Sequence, residues 1–535
     1  MDDLSKIPNE LLFNVASFLS PQEFAALCAT CTRVRNLLRD AHFLWQNGEL
    51  DSNMAVQDVL SGCNVFITGP AGSGKSHTIK RIYDSLTKNV GCDTVAMTST
   101  TLASATMLPD GSTVHHIAGI SMDDDKITTN DFRRHLFARK NTPYMKALRD
   151  RWEPIRVLII DEVSMLGRRT LELLNVAAQV FKRCYNKPMG GVQVVACGDF
   201  CQLPPVNDPA FAFQSNVWTE LNFKNVELSV SMRHITDYRF FSLLQRVRVG
   251  KPSPDDIIVL EEHLKKTSPL TKDTRKNKVI PTWLFPRNVD VCNRNMSMLK
   301  ALGKSERTFS AEDIVVRRNV SVDNYGQRHI HYTQVTNDME RGLGTLTALQ
   351  NKLDARIPST LSLVVGGQYV VTRNAIDTSM DGARPLRIYN GMQCVYKGNM
   401  RMDYLVSDGS YVEGSVPEMC VFYTPIRGDI YLQRIQIPLK VGYALSIHAS
   451  QGMTLDCAAV DIGSRIFSSG QLYVALSRVK TLEGLHLLAF DKSKICMSEL
   501  VAKFYGYDNP KKRKLQDNDT NSKCKKTMTL DMFTI

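Results

Sequence analysis

The chain has 535 residues, a formal net charge of +12 and 43% hydrophobic residues. These values exclude disordered and fibrous classes and leave room for roughly two to four cored domains. No apolar run is long enough to cross a bilayer, the acidic start Met1-Asp2-Asp3-Leu4 lacks a signal-peptide shape, and thirteen scattered cysteines point to reduced intracellular thiols.

Residues 1–46 read as a separate all-α unit. Ile7, Leu11-Leu12, Val15, Phe18-Leu19, Phe24, Leu27, Cys31, Val34, Leu37-Leu38 and Trp45 recur at helical spacings. Ser20-Pro21 supplies an N-cap followed by proline at the first helical position. Pro8, Glu10, Leu11, the Phe18-Leu19 pair, Cys31 and Trp45 resemble an F-box. That resemblance implies a partner, the Skp adaptor of a Skp–cullin–F-box ubiquitin ligase; a plain helical hairpin packed on the body is the alternative. Cys28 and Cys31 have no second pair nearby with which to bind zinc.

After a polar joint at 47–53, Gly69-Pro70-Ala71-Gly72-Ser73-Gly74-Lys75-Ser76 fits G-x-x-x-x-G-K-[ST] without a gap. The β-prone Val65-Phe66-Ile67-Thr68 precedes it and a helical stretch from His77 to Leu86 follows. Glycines let backbone N–H groups approach a polyphosphate, and the helix N-terminus adds positive potential. Lys75 can reach the β and γ phosphates, and Ser76 offers a hydroxyl to Mg²⁺. ATP and Mg²⁺ are therefore the expected cofactors.

A short strand, Val95-Ala96-Met97, runs into Thr98-Ser99-Thr100-Thr101. Hydroxyls at a strand end suit phosphate contacts, and an ordinary polar turn fits them as well. His115, taken alone, reads as a loop histidine. The continuous apolar strand Arg156–Ile160 ends in Asp161-Glu162, two carboxylates that are costly there unless they serve something. In a nucleotide hydrolase Asp161 holds Mg²⁺ and Glu162 polarises the attacking water. A second apolar strand, Val192–Ala196, ends in Gly198-Asp199-Phe200-Cys201-Gln202-Leu203-Pro204-Pro205, where Gln202 is placed to sense a γ-phosphate.

The run from Asp161 to Val206, including Pro188-Met189-Gly190-Gly191-Val192-Gln193, resembles the Pif (petite integration frequency) family of 5′-to-3′ DNA helicases in superfamily one. The likeness continues through Met232-Arg233, Leu284-Phe285-Pro286-Arg287, Asn390-Gly391, Ser446-Ile447-His448-Ala449-Ser450-Gln451-Gly452-Met453-Thr454-Leu455 and Gly470–Arg478, and covers roughly residues 60–505. It implies an α/β fold: two RecA-like P-loop domains with a small β-barrel-like insert, preceded by the short all-α F-box. The expected divisions are 60–222 for the first RecA-like domain, 223–360 with 436–505 for the second, and 361–435 for the β-rich insert.

By the same resemblance, Lys75, Asp161, Glu162 and Gln202 lie on the first domain's side of an ATP cleft, and Arg233 and Arg478 reach the γ-phosphate from the second. Thr98, Ser99, Thr100, Thr101, His115, His448 and Ser450 are expected to line a single-strand track, with single-stranded and forked DNA as partners. Two departures stand out. The family's glutamine motif has no clear counterpart, Gln57 being the nearest glutamine, and Ala449 stands where the family usually has a lysine.

Residues 506–535 read as a disordered basic tail. Between Lys511 and Lys526 there are seven Lys/Arg and two Asp, so the tail carries much of the net charge and the body is only mildly basic. Pro510-Lys511-Lys512-Arg513-Lys514 resembles a nuclear localisation signal, implying a nuclear protein, with a solvated basic tail that binds nucleic acid nonspecifically as the alternative; the helicase resemblance implies work in DNA replication, repair or recombination. Residues 529–535, with Phe533, resemble a degenerate sliding-clamp motif, although Thr527 and Thr534 depart from it. Two readings follow: an ATP-dependent 5′-to-3′ DNA helicase, or a ubiquitin-ligase substrate receptor that docks on DNA without productive unwinding.

Overall fold

The computed structural model describes most of residues 49–508. Residues 1–48, residues 509–535 and short internal segments, the longest being 268–280, 336–346 and 378–385, lie outside the described residues. The expected F-box, nuclear signal and clamp motif therefore fall outside them.

The first lobe is built on six parallel strands: β1 (Val65–Thr68), β2 (Val95–Ser99), β3 (Ser112–Thr113), β4 (Val157–Asp161), β5 (Gln193–Cys197) and β6 (Lys224–Glu227), in the order β3-β2-β4-β5-β1-β6. The central strands are apolar throughout because both faces are covered. Phe66, Leu158, Ile160, Val194 and Ala196 enter one core, while Val65, Ile67, Val157, Ile159, Val195 and Cys197 enter the other. This is the period of two expected of a strand buried on both sides. The second core is shared with Ile79, Ile82 and Leu86 of α1 (Lys75–Val90). The strand β6 lies beyond the expected break at 222, and Leu228 still packs in this core. The first lobe thus extends past that boundary, because the edge of the sheet beside β1 needs a partner.

The second lobe has four parallel strands, ordered Ala444–Ser446, Thr282–Phe285, Ala458–Ile462, Leu485–Phe490. The helix α2 (Tyr238–Arg248) lays Phe240, Leu243, Leu244 and Val247 into its core beside Leu472 and Leu476 of α3 (Gln471–Leu476). After Leu485–Phe490 the chain crosses back. The helix α4 (Glu499–Tyr505) buries Val501 in the first lobe, and Phe504 stacks on Phe213 at 4.4 Å. The Tyr505 hydroxyl bonds Thr68 Oγ1 at 2.9 Å and accepts from Phe200 N at 3.2 Å, joining the ends of β1 and β5 from behind.

The β-rich insert is larger than the expected 361–435. Arg307–Ser310 pairs with Thr360–Leu363, and Glu312–Val322 pairs with both Arg328–Gln334 and Ile430–Gln436. A five-stranded antiparallel sheet runs between Gln368 and Val441. The hairpin of Glu312–Val322 and Arg328–Gln334 is tied down by a buried Arg434 through Asp313, with both bonds at 2.6 Å, and through Asp354 and the Ile357 carbonyl.

Candidate active site

The loop between β1 and α1 is shaped by glycines in conformations that side chains resist. Gly69, Gly72 and Gly74 have φ of 149°, 79° and 83°. A Cβ at Gly69 would meet the Leu228 carbonyl at 2.5 Å, and one at Gly72 would meet Arg233 Cβ at 2.5 Å. Backbone therefore runs unusually close to its neighbours. Lys75 Nζ donates to the Gly69 and Pro70 carbonyls at 2.9 and 2.8 Å. Ser73 Oγ is buried with no partner among the described residues, and Ser76 is exposed at the start of α1. An orphaned hydroxyl, a cation and a helix N-terminus around a bare backbone loop fit a polyphosphate.

Strand β4 delivers the carboxylates. Asp161 accepts from Glu162 N at 2.8 Å. Burial, with Glu162 beside it, pushes the Asp161 carboxyl up to about 7 despite Lys75. Burial also raises Glu162, against the pull of Lys75 and Arg478. Glu162 has φ 52°, a left-handed conformation rare for a side chain of this size, at the turn that aims it. Its Oε2 accepts from Gln451 Nε2 of the second lobe at 3.0 Å. The donor set of Ser76 and Asp161 is hard oxygen, which suits Mg²⁺.

The second lobe closes over this loop. The Tyr473 hydroxyl on α3 accepts from Ala71 N at 2.9 Å, and Ser231 Oγ donates to the Ala71 carbonyl at 2.9 Å. Arg233 reaches from the loop side into the second lobe, donating to Thr454 Oγ1 at 3.0 Å and the Ser477 carbonyl at 2.7 Å. Arg478 donates to the carbonyls of Val474 at 2.7 Å and Ser450 at 3.2 Å. Burial lowers both guanidinium pKa values, to about 9 and about 10, the two charges also opposing each other at Arg233. Gln202 is buried, and its Nε2 lies 3.4 Å from Asp199 Oδ2. Asp199 in turn receives Arg248 from α2 in two bonds of 2.9 Å.

Lys75, Asp161, Glu162, Gln202, Arg233 and Arg478 are thus brought to one cleft. The expected DNA track is only partly placed on a surface. Thr98 is fully buried and donates to the Ile159 carbonyl at 2.7 Å; Ser99 donates to the Asp161 carbonyl and Thr100 to that of Glu162. These hydroxyls brace β2 against the strand that carries the carboxylates, because the end of β4 needs donors for its carbonyls. Ser450 is fully buried and donates to the Ile447 carbonyl. Thr98, Ser99 and Ser450 therefore do not face a strand of DNA. Thr101, His115 and His448 are half-exposed, and His448 stacks 6.0 Å from the exposed ring of Phe467.

Sequence reasoning assigned no role to Gln451, Tyr473, Asp199 or Arg248. One signal was available: Arg248 lies one turn beyond Leu244 on the apolar stripe of α2, and an arginine there demands a buried partner.

A family model described as PIF1-like helicase matches residues 50–256, and one described as F-box-like matches residues 4–48. The ATP-dependent DNA helicase PIF1 of Danio rerio is 34% identical over 456 residues, covering 84% of this chain and 62% of that protein. The chain thus spans about three fifths of such relatives' length. The ATP-dependent DNA helicase Pif1 of Psychrobacter sp. is 30% identical over 490 residues, 83% of this chain and 68% of that protein. The crystal structure of the Pif1 helicase from Candida albicans superposes with a TM-score of 0.62 at 28% identity, covering 85% of this chain and 98% of that one. With a phosphate loop, two strand-end carboxylates and two arginines in one cleft, the chain belongs to the PIF1-like helicase family.

Proposed function

We propose that this chain is an ATP-dependent DNA helicase that moves 5′ to 3′ on single-stranded DNA and opens forked duplexes. The observation that carries the reading is the cleft itself. Groups of the second lobe meet both the phosphate loop, Tyr473 on Ala71 N, and the carboxylate turn after β4, Gln451 on Glu162, which supports coupling of nucleotide state to lobe attitude. Lys75 and the loop N–H groups bind the phosphates. Glu162, held by Gln451, orients the attacking water and takes its proton. Gln202 senses the γ-phosphate, and Arg233 and Arg478 exchange carbonyl partners for the charge that develops on the transferring phosphoryl group. Ser76 and Asp161 would hold Mg²⁺, which would neutralise phosphate charge when bound. Thr101, His115 and His448 remain candidates for backbone contacts on the strand.

An unwinding assay on duplexes with 5′ or 3′ overhangs tests this. Unwinding is expected from the 5′ overhang alone, and Lys75→Ala abolishes it together with DNA-stimulated ATPase. Unwinding that survives Lys75→Ala, or that runs only from the 3′ overhang, defeats the reading.

The F-box-like match at residues 4–48 supports a second function, recruitment of a Skp adaptor and through it a ubiquitin ligase to DNA structures. Adaptor binding is then lost on changing Pro8 and Leu11, with ATPase intact. The basic run at 511–514 supports nuclear import, and Phe533 a sliding-clamp contact; a clamp pull-down unaffected by Phe533→Ala ends the last proposal.

A further inference from the structure

The cation that organises Gln202 comes from the other lobe. Arg248 and Asp199 are 2% and 0% exposed at their side chains, and they meet in two parallel bonds of 2.9 Å. Arg248 ends α2, whose apolar face belongs to the second lobe's core, whereas Asp199 follows β5 of the first. Asp199 Oδ1 also accepts from Cys201 N at 3.1 Å, and Oδ2 faces Gln202 Nε2 at 3.4 Å. One carboxylate therefore binds the second lobe's guanidinium and the loop that carries Gln202. The guanidinium is further enclosed by the Tyr505 ring at 5.9 Å and the Tyr507 hydroxyl at 3.5 Å, both on the segment that returns to the first lobe.

Parting such a pair would leave Asp199 bare in a dry place and Arg248 with only the half-exposed Glu227 at 4.0 Å, so lobe motion that pivots on the pair costs least. Rotation about the pivot turns the carboxylate plane, because a two-bond guanidinium–carboxylate contact is planar and directional. Turning that plane re-aims Gln202.

We propose that Arg248 is a positioning residue that sets Gln202 for γ-phosphate recognition, making that recognition depend on the attitude of the second lobe. The inference rests on the nucleotide-hydrolysing reading above, and its test separates the two. The affinity of fluorescent ADP with Mg²⁺ is measured with and without aluminium fluoride, which stands in for the transferring phosphoryl group. The proteins are wild type, Arg248→Lys, Gln202→Ala, their double mutant, and the paired change Asp199→Leu with Arg248→Met, which leaves no bare charge. In wild type the fluoride tightens binding. Arg248→Lys leaves ADP affinity within about twofold but loses about tenfold of the fluoride gain, the worth of one aimed hydrogen bond. It costs nothing further in the Gln202→Ala background, as a residue acting through Gln202 must. The paired variant folds, binds ADP and loses the same gain. A full fluoride gain in Arg248→Lys or in the paired variant overturns the proposal, as do losses that multiply in the double mutant. Failure of wild type to bind ADP at all instead overturns the nucleotide reading, and this inference with it.

Discussion

Replacing Gly470 by alanine probes how closely the lobes must meet. Gly470 has φ 76° and N-caps α3, and a Cβ there would lie 2.6 Å from the Cys201 carbonyl oxygen and closer still to that of Gln202. The obstructing atoms are backbone, so they cannot rotate away. An ordinary methyl–oxygen contact therefore needs about 1 Å of separation between α3 and the Gln202 loop. A 1 Å error at a reacting site costs on the order of 10²-fold in rate, or about 2.7 kcal/mol of barrier. The left-handed conformation adds about 1 kcal/mol of strain for alanine. Gly62 isolates that second effect, since it has φ 87° and nothing within 4 Å of a built Cβ. In a steady-state DNA-stimulated ATPase assay, Gly470→Ala should lower kcat by about 10²-fold while ADP affinity, governed by the first-lobe loop, changes little. Gly62→Ala should lower Tm slightly with kcat unchanged. A wild-type kcat in Gly470→Ala would mean that the lobes need not close at this contact, and the coupling argued above would fail.

Two further outcomes follow from burial. The Asp161 carboxyl is held at about 7 by burial and by Glu162, against an ordinary value of 3.8. Between those values the folded state keeps a proton that the unfolded state releases, so the group destabilises the fold increasingly as pH rises from 3.8 to about 7. Without metal or nucleotide, Asp161→Asn should be more stable than wild type at pH 8 by on the order of a few kcal/mol, the gap shrinking toward pH 5; urea titrations that show no gap at pH 8 refute it. Arg434→Met should cost about 3 kcal/mol, because it removes the two-bond cation partner of the largely buried Asp313. The loss should appear as faster amide exchange in both 312–322 and 430–436, which pair across the insert; exchange confined to one strand would break the pairing.

The phosphate loop, Asp161-Glu162 and Gln202 were legible in the sequence because each is a local pattern: a strand, a loop and a residue type that only a ligand repays. What was not legible depends on distant partners. A hydroxyl at a strand end can face solvent or cap a neighbouring carbonyl, and Thr98 does the second because Ile159 lies beside it. The sheet edge at Lys224–Glu227 is a short, mostly polar strand whose membership is decided by β1, and the hairpin after Glu312 is assigned to the insert by pairing with residues more than a hundred positions away. Gly470 was visible as part of a motif, but its reason, close approach of two lobes, exists only in three dimensions.

The cations in the cleft share one further property. Lys75, Arg233 and Arg478 bond to carbonyl and hydroxyl oxygens: Gly69 and Pro70 for the lysine, Thr454 and Ser477 for one arginine, Val474 and Ser450 for the other. Dipoles repay the desolvation of a buried cation only in part, which is why burial works against charge at both arginines. Arg434, buried in the insert, is paired with carboxylates, those of Asp313 and Asp354. Arg233 and Arg478 are held instead on partners that an anionic oxygen outcompetes, since a charge-assisted bond is roughly twice as strong as a neutral one. Both reach Ser477, Arg233 at its carbonyl and Arg478 at its hydroxyl, beside the contact between Ala71 and Tyr473, so they already gather where the two lobes meet. A diphosphate offers no oxygen where the transferred group would sit. Under the proposed function, the difference between the two nucleotides becomes a difference in lobe attitude, which is the step that hydrolysis must drive if it is to advance the protein along a strand.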